Sequence, residues 1–246
     1  MYILNMEEGL RVLAIGPHSD DIELGCGATL LWLAKKRRAE IFYRLLSSDY
    51  LLRMTEPTTR YSREDEARKS ADMLGVKNVY THTPNGYKYF DSQNFPDTQF
   101  PEYRDRIHRY LEITKEEIDP HLIFAPSLND AHQDHVTVAD TVLRVFREGQ
   151  IILHYEIRQF SSKLFIPNLF VDVSEELVWQ DNTCMSFAQR KNHILQECFI
   201  SQKGKMYLDD EVIMGTMRGR GQQCGRTVRY AEAFEARVSI FDFLGY

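Results

Sequence analysis

Short apolar runs alternate with amphipathic stretches over the first two-thirds of the chain. Residues 11–16 (RVLAIG), 41–46 (IFYRLL), 78–82 (NVYTH) and 121–125 (HLIFA) read as strands, and 151–157 and 169–173 as further ones. Between them, 25–38 reads as a helix with Leu30, Leu31, Leu33 and Ala34 inward. Residues 61–74 read as another, with Ala67, Ala71 and Leu74 at helical spacing and Gly75 as its stop. Residues 103–118 form a third helical pattern, and 135–146 a fourth whose stripe runs Ala139, Val142, Leu143, Phe146. This alternation predicts an α/β fold: a Rossmann-like, mostly parallel sheet with helices on both faces. Beyond Asp181 the pattern loosens into a helix around 187–202, a Gly/Arg-rich loop over 215–225 and an alternating run near 233–241. The reading is one domain over residues 1–246, with a core over roughly 8–180 and a C-terminal extension over roughly 181–246.

Composition narrows the function. With 43% hydrophobic and 12% aromatic residues in 246, the chain has ample material for a core. Thirty basic against 36 acidic residues, net −6, repel a phosphate backbone, which argues against nucleic acid as a partner. No transmembrane segment is expected, because the longest apolar-looking run, 24–34, falls well short of the ~20 residues a spanning helix needs. The N-terminal residues lack the pattern of a secretory signal. Cys26, Cys184, Cys198 and Cys224 form no CxxC and read as reduced, mostly buried thiols of a cytoplasmic protein.

Chemistry concentrates at two strand ends. The first strand runs into Pro17-His18-Ser19-Asp20-Asp21, followed by Gly25-Cys26-Gly27, and the fourth into Asn129-Asp130-Ala131-His132-Gln133-Asp134-His135. Either motif alone is most simply a solvated loop or a helix cap. Both at strand ends of one sheet, where loops converge, fit an open metal site of His/Asp/His type with one position left to water. The competing reading takes Gly25-Cys26-Gly27 as part of a dinucleotide fingerprint, with Asp49 as the ribose acid. It lacks the third glycine, and Asp20, Asp21 and Glu23 would crowd a pyrophosphate. Arg218, Arg220, Arg226 and Arg229 read as a surface or subunit contact, or else as a clamp for a phosphate-bearing sugar.

Residues 17–27 together with 129–135 resemble the PIG-L/LmbE-like family of zinc-dependent N-acetylglucosaminyl deacetylases. Weaker matches lie at Arg63-Glu-Asp-Glu66, Leu74-Gly75-Val76, Ser201-Gln202 and Tyr230-Ala-Glu-Ala-Phe234. Ser19 and Ile22 stand where the family usually has proline and glutamate. The resemblance implies removal of acetyl from a small N-acetylated amino sugar or sugar conjugate, sugar nucleotides included, with Zn²⁺ as cofactor or another divalent ion such as Fe²⁺. By the same resemblance His18, Asp21 and His135 ligate the metal, Asp20 is the general base, His132 with Asp134 assists at the carbonyl, and Arg63 faces the substrate. An amidase for a larger N-acyl sugar is an alternative, and a homo-oligomer is compatible with the resemblance.

Overall fold

Strand β1 (Arg11–Gly16) is buried beyond its first residue, as an unbroken apolar run requires of a strand covered on both faces. It belongs to the computed structural model of the chain, which describes residues 9–48, 62–77, 86, 88–147, 149–157, 165–225 and 227–238. After β1 follow α1 (Asp21–Arg37), β2 (Glu40–Leu45), α2 (Arg63–Leu74) and β3 (Phe90–Ser92). Next come α3 (Arg104–Ile118), β4 (Leu122–Pro126), α4 (Gln133–Val145), β5 (Ile151–Tyr155) and β6 (Leu169–Asp172). The chain closes with β7 (Glu176–Val178), β8 (Cys184–Ser186), α5 (Phe187–Cys198), α6 (Asp210–Cys224) and β9 (Ala231–Val238).

The main sheet has the order β3-β2-β1-β4-β5-β9-β6. Pairs from β3 through β5 are parallel, while β9 runs antiparallel to both β5 and β6. Helices α1, α2, α5 and α6 pack on one another, and α3 packs with α4, so the mostly parallel sheet is covered by two helical layers, as expected. The chain leaves β1 toward β2 on one side and returns through β4 on the other. The carboxyl ends of β1 and β4 therefore flank the point where strand order reverses, which opens a crevice.

Several elements depart from the sequence pattern. Helix α1 begins at Asp21, ahead of the expected Gly25, because Asp21 and Glu23 place negative charge in its first turn, where free amides favour it. The stretch 215–224 is the second half of α6, not a loop, and Gly225 follows it as the C-cap. Ile213, Met217 and Arg220 form its inward stripe, Asp209 caps it, and Gly221 lets the backbone at Arg229 come close. A Cβ at Gly221 would lie 2.7 Å from the Arg229 carbonyl oxygen. Arg220 therefore turns inward to a two-point ion pair with Glu156 (2.6 and 2.7 Å), and Arg218 donates to the Arg229 carbonyl. Strand β9 sits inside the main sheet, and the short β7–β8 hairpin carries no alternating signal. The 78–82 strand, Asp49, His82 and Arg226 lie outside the described residues. Cys26 and Cys198 are buried as expected, whereas Cys184 and Cys224 are exposed; all four are free thiols.

Gly25 and Gly27 serve packing. The ring of Tyr155 on β5 lies so close to α1 that a Cβ at Gly25 would meet its Cδ2 at 2.2 Å, and the Tyr155 hydroxyl donates to the Ile15 carbonyl (2.7 Å). Gly25→Ala forces α1 off this ring. Overpacking of this kind costs about 1–3 kcal/mol, and a melting temperature lower by roughly 2–12 °C is expected for a chain of this size. An unchanged melting temperature would show that the contact yields freely.

Candidate metal centre

The turn after β1 is closed by Asp21, whose Oδ2 accepts the His18 backbone N–H at 2.8 Å. The same carboxylate oxygen lies 3.1 Å from His18 Nδ1. The loop after β4 feeds α4, whose first turn carries His135, and its Nε2 lies 3.2 Å from Asp21 Oδ2 and 3.2 Å from His18 Nδ1. A tetrahedral ion with bonds of about 2.0–2.1 Å needs its ligand atoms about 3.3 Å apart, so the triangle fits one face of such a shell. All three side chains are largely buried, and together they could hold a metal ion.

Each donor is held from behind. His135 Nδ1 meets Asp130 Oδ2 at 2.9 Å, and the other Asp130 oxygen accepts the His132 amide at 2.7 Å. Carboxylate backing of this kind fixes the tautomer and orientation of a ligating imidazole. On the far side of His18, Nε2 lies 3.0 Å from Asp97 Oδ1 and 3.3 Å from Asp134 Oδ2. Asp134 is fully buried and accepts the amides of Thr98 (2.7 Å) and Phe100 (3.1 Å). Thr98 has φ of +65°, an unfavourable conformation for a β-branched residue, and Asp134 together with a Gln133 side-chain bond to the Thr98 carbonyl holds it there.

This arrangement concentrates negative potential. Burial opposes the charged form of His18, but hydrogen bonds to Asp134, Asp21 and Asp97 outweigh it and hold its pKa well above the usual imidazole value. At His135 burial is likewise overcome, by Asp21 and Asp130, and its pKa is pushed up to about 9. Burial would raise the Asp21 pKa, yet His135 and His18 bring it far below the carboxylate range. The pocket attracts positive charge, whether protons or a cation.

Asp20 is buried beside this triangle, and its Oδ2 has no hydrogen-bond partner among the described residues. Burial, then the neighbouring Asp21 charge, raises its pKa, against the pull of the Tyr207 hydroxyl. His132 caps α4, its Nδ1 accepting the Asp134 amide (3.2 Å), and its ring stacks on His135 with centroids 4.8 Å apart. Asp134 favours the charged form of His132, but burial and the imidazoles of His135 and His18 prevail and lower the His132 pKa. Arg63 opens α2, half-buried, and its charge reaches both Asp97 and Tyr207, so it borders the same crevice. Glu66, one turn further along α2, binds the amide (2.7 Å) and hydroxyl (2.6 Å) of Ser201, linking two of the weaker sequence matches.

Three residues of this neighbourhood carry no assigned role in the sequence reading. Asp130 lies within the second motif, so its nearness to His132 and His135 was available as a signal. Asp97 comes from a turn and Tyr207 from the short 3-10 helix Met206–Leu208, neither with a periodic signal, and only the fold brings them to the crevice.

Comparison with known proteins identifies the family of the chain. The chain is 30% identical over 176 residues, 67% of its length and 83% of the relative's, to a protein named uncharacterized deacetylase YaiS from Escherichia coli (strain K12). Its fold is similar to that of N,N'-diacetylchitobiose deacetylase from Pyrococcus horikoshii, with TM-score 0.62, 21% identity and coverage of 92% of this chain and 83% of that one. It is also similar to GalB, the 4-carboxy-2-hydroxymuconate hydratase of Pseudomonas putida KT2440, with TM-score 0.67, 15% identity and coverage of 96% and 100%. Residues 13–146, which contain both strand-end motifs, match the PIG-L family, described as GlcNAc-PI de-N-acetylase, and the chain belongs to that family.

Proposed function

We propose that the chain is a zinc-dependent hydrolase that removes acetyl from a small N-acetylated amino sugar or sugar conjugate. The observation that carries this reading is the triangle of His18 Nδ1, Asp21 Oδ2 and His135 Nε2, beside a buried carboxylate with one oxygen unpartnered among the described residues. Family membership and the names of the relatives, deacetylase for the bacterial protein and diacetylchitobiose deacetylase for the archaeal structure, support the choice of substrate class.

His18, Asp21 and His135 would hold the ion, which when bound lowers the pKa of a coordinated water toward ~7 and polarises a carbonyl oxygen. Asp20 accepts the proton of the attacking water on Oδ2. Its raised pKa suits a group that takes a proton and gives it up again, here to the departing amine. His132 accepts the Asp134 amide at Nδ1, so its neutral ring carries hydrogen on Nε2, which donates to the oxygen of the developing tetrahedral centre. Asp134 acts mainly on His18 and on the 98–100 turn rather than as the counter-charge of His132. Arg63 at the crevice margin contacts sugar hydroxyls. Water is consumed, the C–N bond breaks, and acetate and a free amine leave.

Acetate release from free, nucleotide-linked and lipid-linked N-acetylglucosamine analogues, measured with and without chelator, tests the activity. Release from at least one, abolished by chelator and restored by Zn²⁺, is expected; about one divalent ion per chain should copurify. NAD binding without metal and without hydrolysis would favour the dinucleotide reading. A parallel series of longer N-acyl groups separates a deacetylase from a broader amidase.

Asp20→Asn should keep its metal and lose turnover by about 10²–10⁴-fold; near-normal turnover with metal bound would remove Asp20 as the base. Asp130→Ala, which frees the back of His135, should weaken metal affinity or activity by about 10–100-fold. Equal metal content and rate in that variant would show that the 2.9 Å contact does not tune the centre.

A further inference from the structure

The Glu232 of Tyr230-Ala-Glu-Ala-Phe234 does not touch the metal triangle. It is almost wholly buried, paired with Lys191 of α5 at 2.7 Å. Both side chains then reach the backbone of α1 well inside the helix. Glu232 Oε1 accepts the Ala28 amide at 3.1 Å and Oε2 accepts the Thr29 amide at 2.7 Å, while Lys191 Nζ donates to the Leu24 carbonyl at 2.7 Å.

In a regular α-helix the Ala28 N–H and the Leu24 carbonyl are partners of one another. Here a carboxylate meets the amide and an ammonium meets the carbonyl, the charges that suit a helix start and a helix end. Electrostatically, α1 is divided. Residues from Ala28 onward have an anion at their start, and the turn of Asp21–Leu24 has a cation at its end. The division falls at Gly25-Cys26-Gly27, where low helix propensity lets the backbone yield. The short turn bearing Asp20 and Asp21 thus takes its position from α5 and β9 as well as from its own ladder.

We propose that Lys191 and Glu232 are positioning residues that set the first turn of α1, and through it Asp20 and Asp21, against the histidines of the metal centre. Stability alone gives little reason for the pair, since buried ion pairs are often replaced by apolar residues without loss. The inference rests on the metal reading of the His18–Asp21–His135 triangle.

Co²⁺ binding followed by visible absorption tests it, with thermal melting measured alongside. The double variant Lys191→Met/Glu232→Leu removes both charges of the buried pair and leaves neither unpaired, so it should melt at or above the temperature of the parent. Its Co²⁺ affinity should fall by about 10–100-fold, with a changed absorption spectrum, and the Zn²⁺ enzyme should lose kcat at nearly unchanged KM. Lys191→Met/Glu232→Gln returns an uncharged acceptor to one of the two amides and should recover part of that affinity. Wild-type affinity and spectrum in the Leu variant would overturn the inference while leaving the metal reading intact. Melting and Co²⁺ binding lost together in both variants would also overturn it, in favour of a purely structural pair. No Co²⁺ binding by the parent protein would overturn the metal reading itself, and this inference with it.

Discussion

Three atoms able to ligate a metal, His18 Nδ1, Asp21 Oδ2 and His135 Nε2, lie 3.1–3.2 Å from one another. At that spacing they repel unless positive charge lies among them. The surrounding chemistry is arranged for that condition. Asp130 backs His135, Asp97 and Asp134 back His18, and the Thr98 and Phe100 amides support Asp134 in turn. The high imidazole pKa values and the depressed Asp21 pKa follow from one cause, a buried excess of carboxylate charge. The strained Thr98 is part of the same balance, held by bonds to Asp134 and Gln133.

The fold supplies the rest. Parallel strands deliver two loops to one crevice where strand order reverses, and each loop starts a helix whose first turn bears a donor. Strand β9 fastens both sides of this crevice. Glu232 reaches α1, and Glu235 accepts Ser127 Oγ (2.5 Å) and Asn129 Nδ2 (3.0 Å) at the root of the second loop. Fold alone does not select the chemistry: the same architecture serves a deacetylase and a hydratase among its structural neighbours.

The parallel core was legible because strands buried on both faces must be apolar throughout, as 11–16 and 121–125 are. The two motifs were legible for a chemical reason, since imidazoles and carboxylates gathered at strand ends are poor packing material. Less was legible where partners are distant in sequence. Helix α6 looked like a loop from its glycines, and its stability comes from the Ile213–Met217–Arg220 stripe and the Glu156 pair. Sequence proximity does not set the environment of His132: Asp134 lies two residues away but directs its carboxylate to His18 and the 98–100 turn. Asp97, Tyr207 and Lys191 have no local signature at all; only the fold assigns them neighbours.

A diffraction experiment on crystals grown with Zn²⁺, with data collected on both sides of the zinc absorption edge, tests the central claim most directly. The account predicts a single strong anomalous peak bonded to His18 Nδ1, Asp21 Oδ2 and His135 Nε2 at about 2.0–2.2 Å. A triangle free of anomalous density at saturating Zn²⁺, with both imidazoles instead hydrogen-bonded to Asp21, would contradict it.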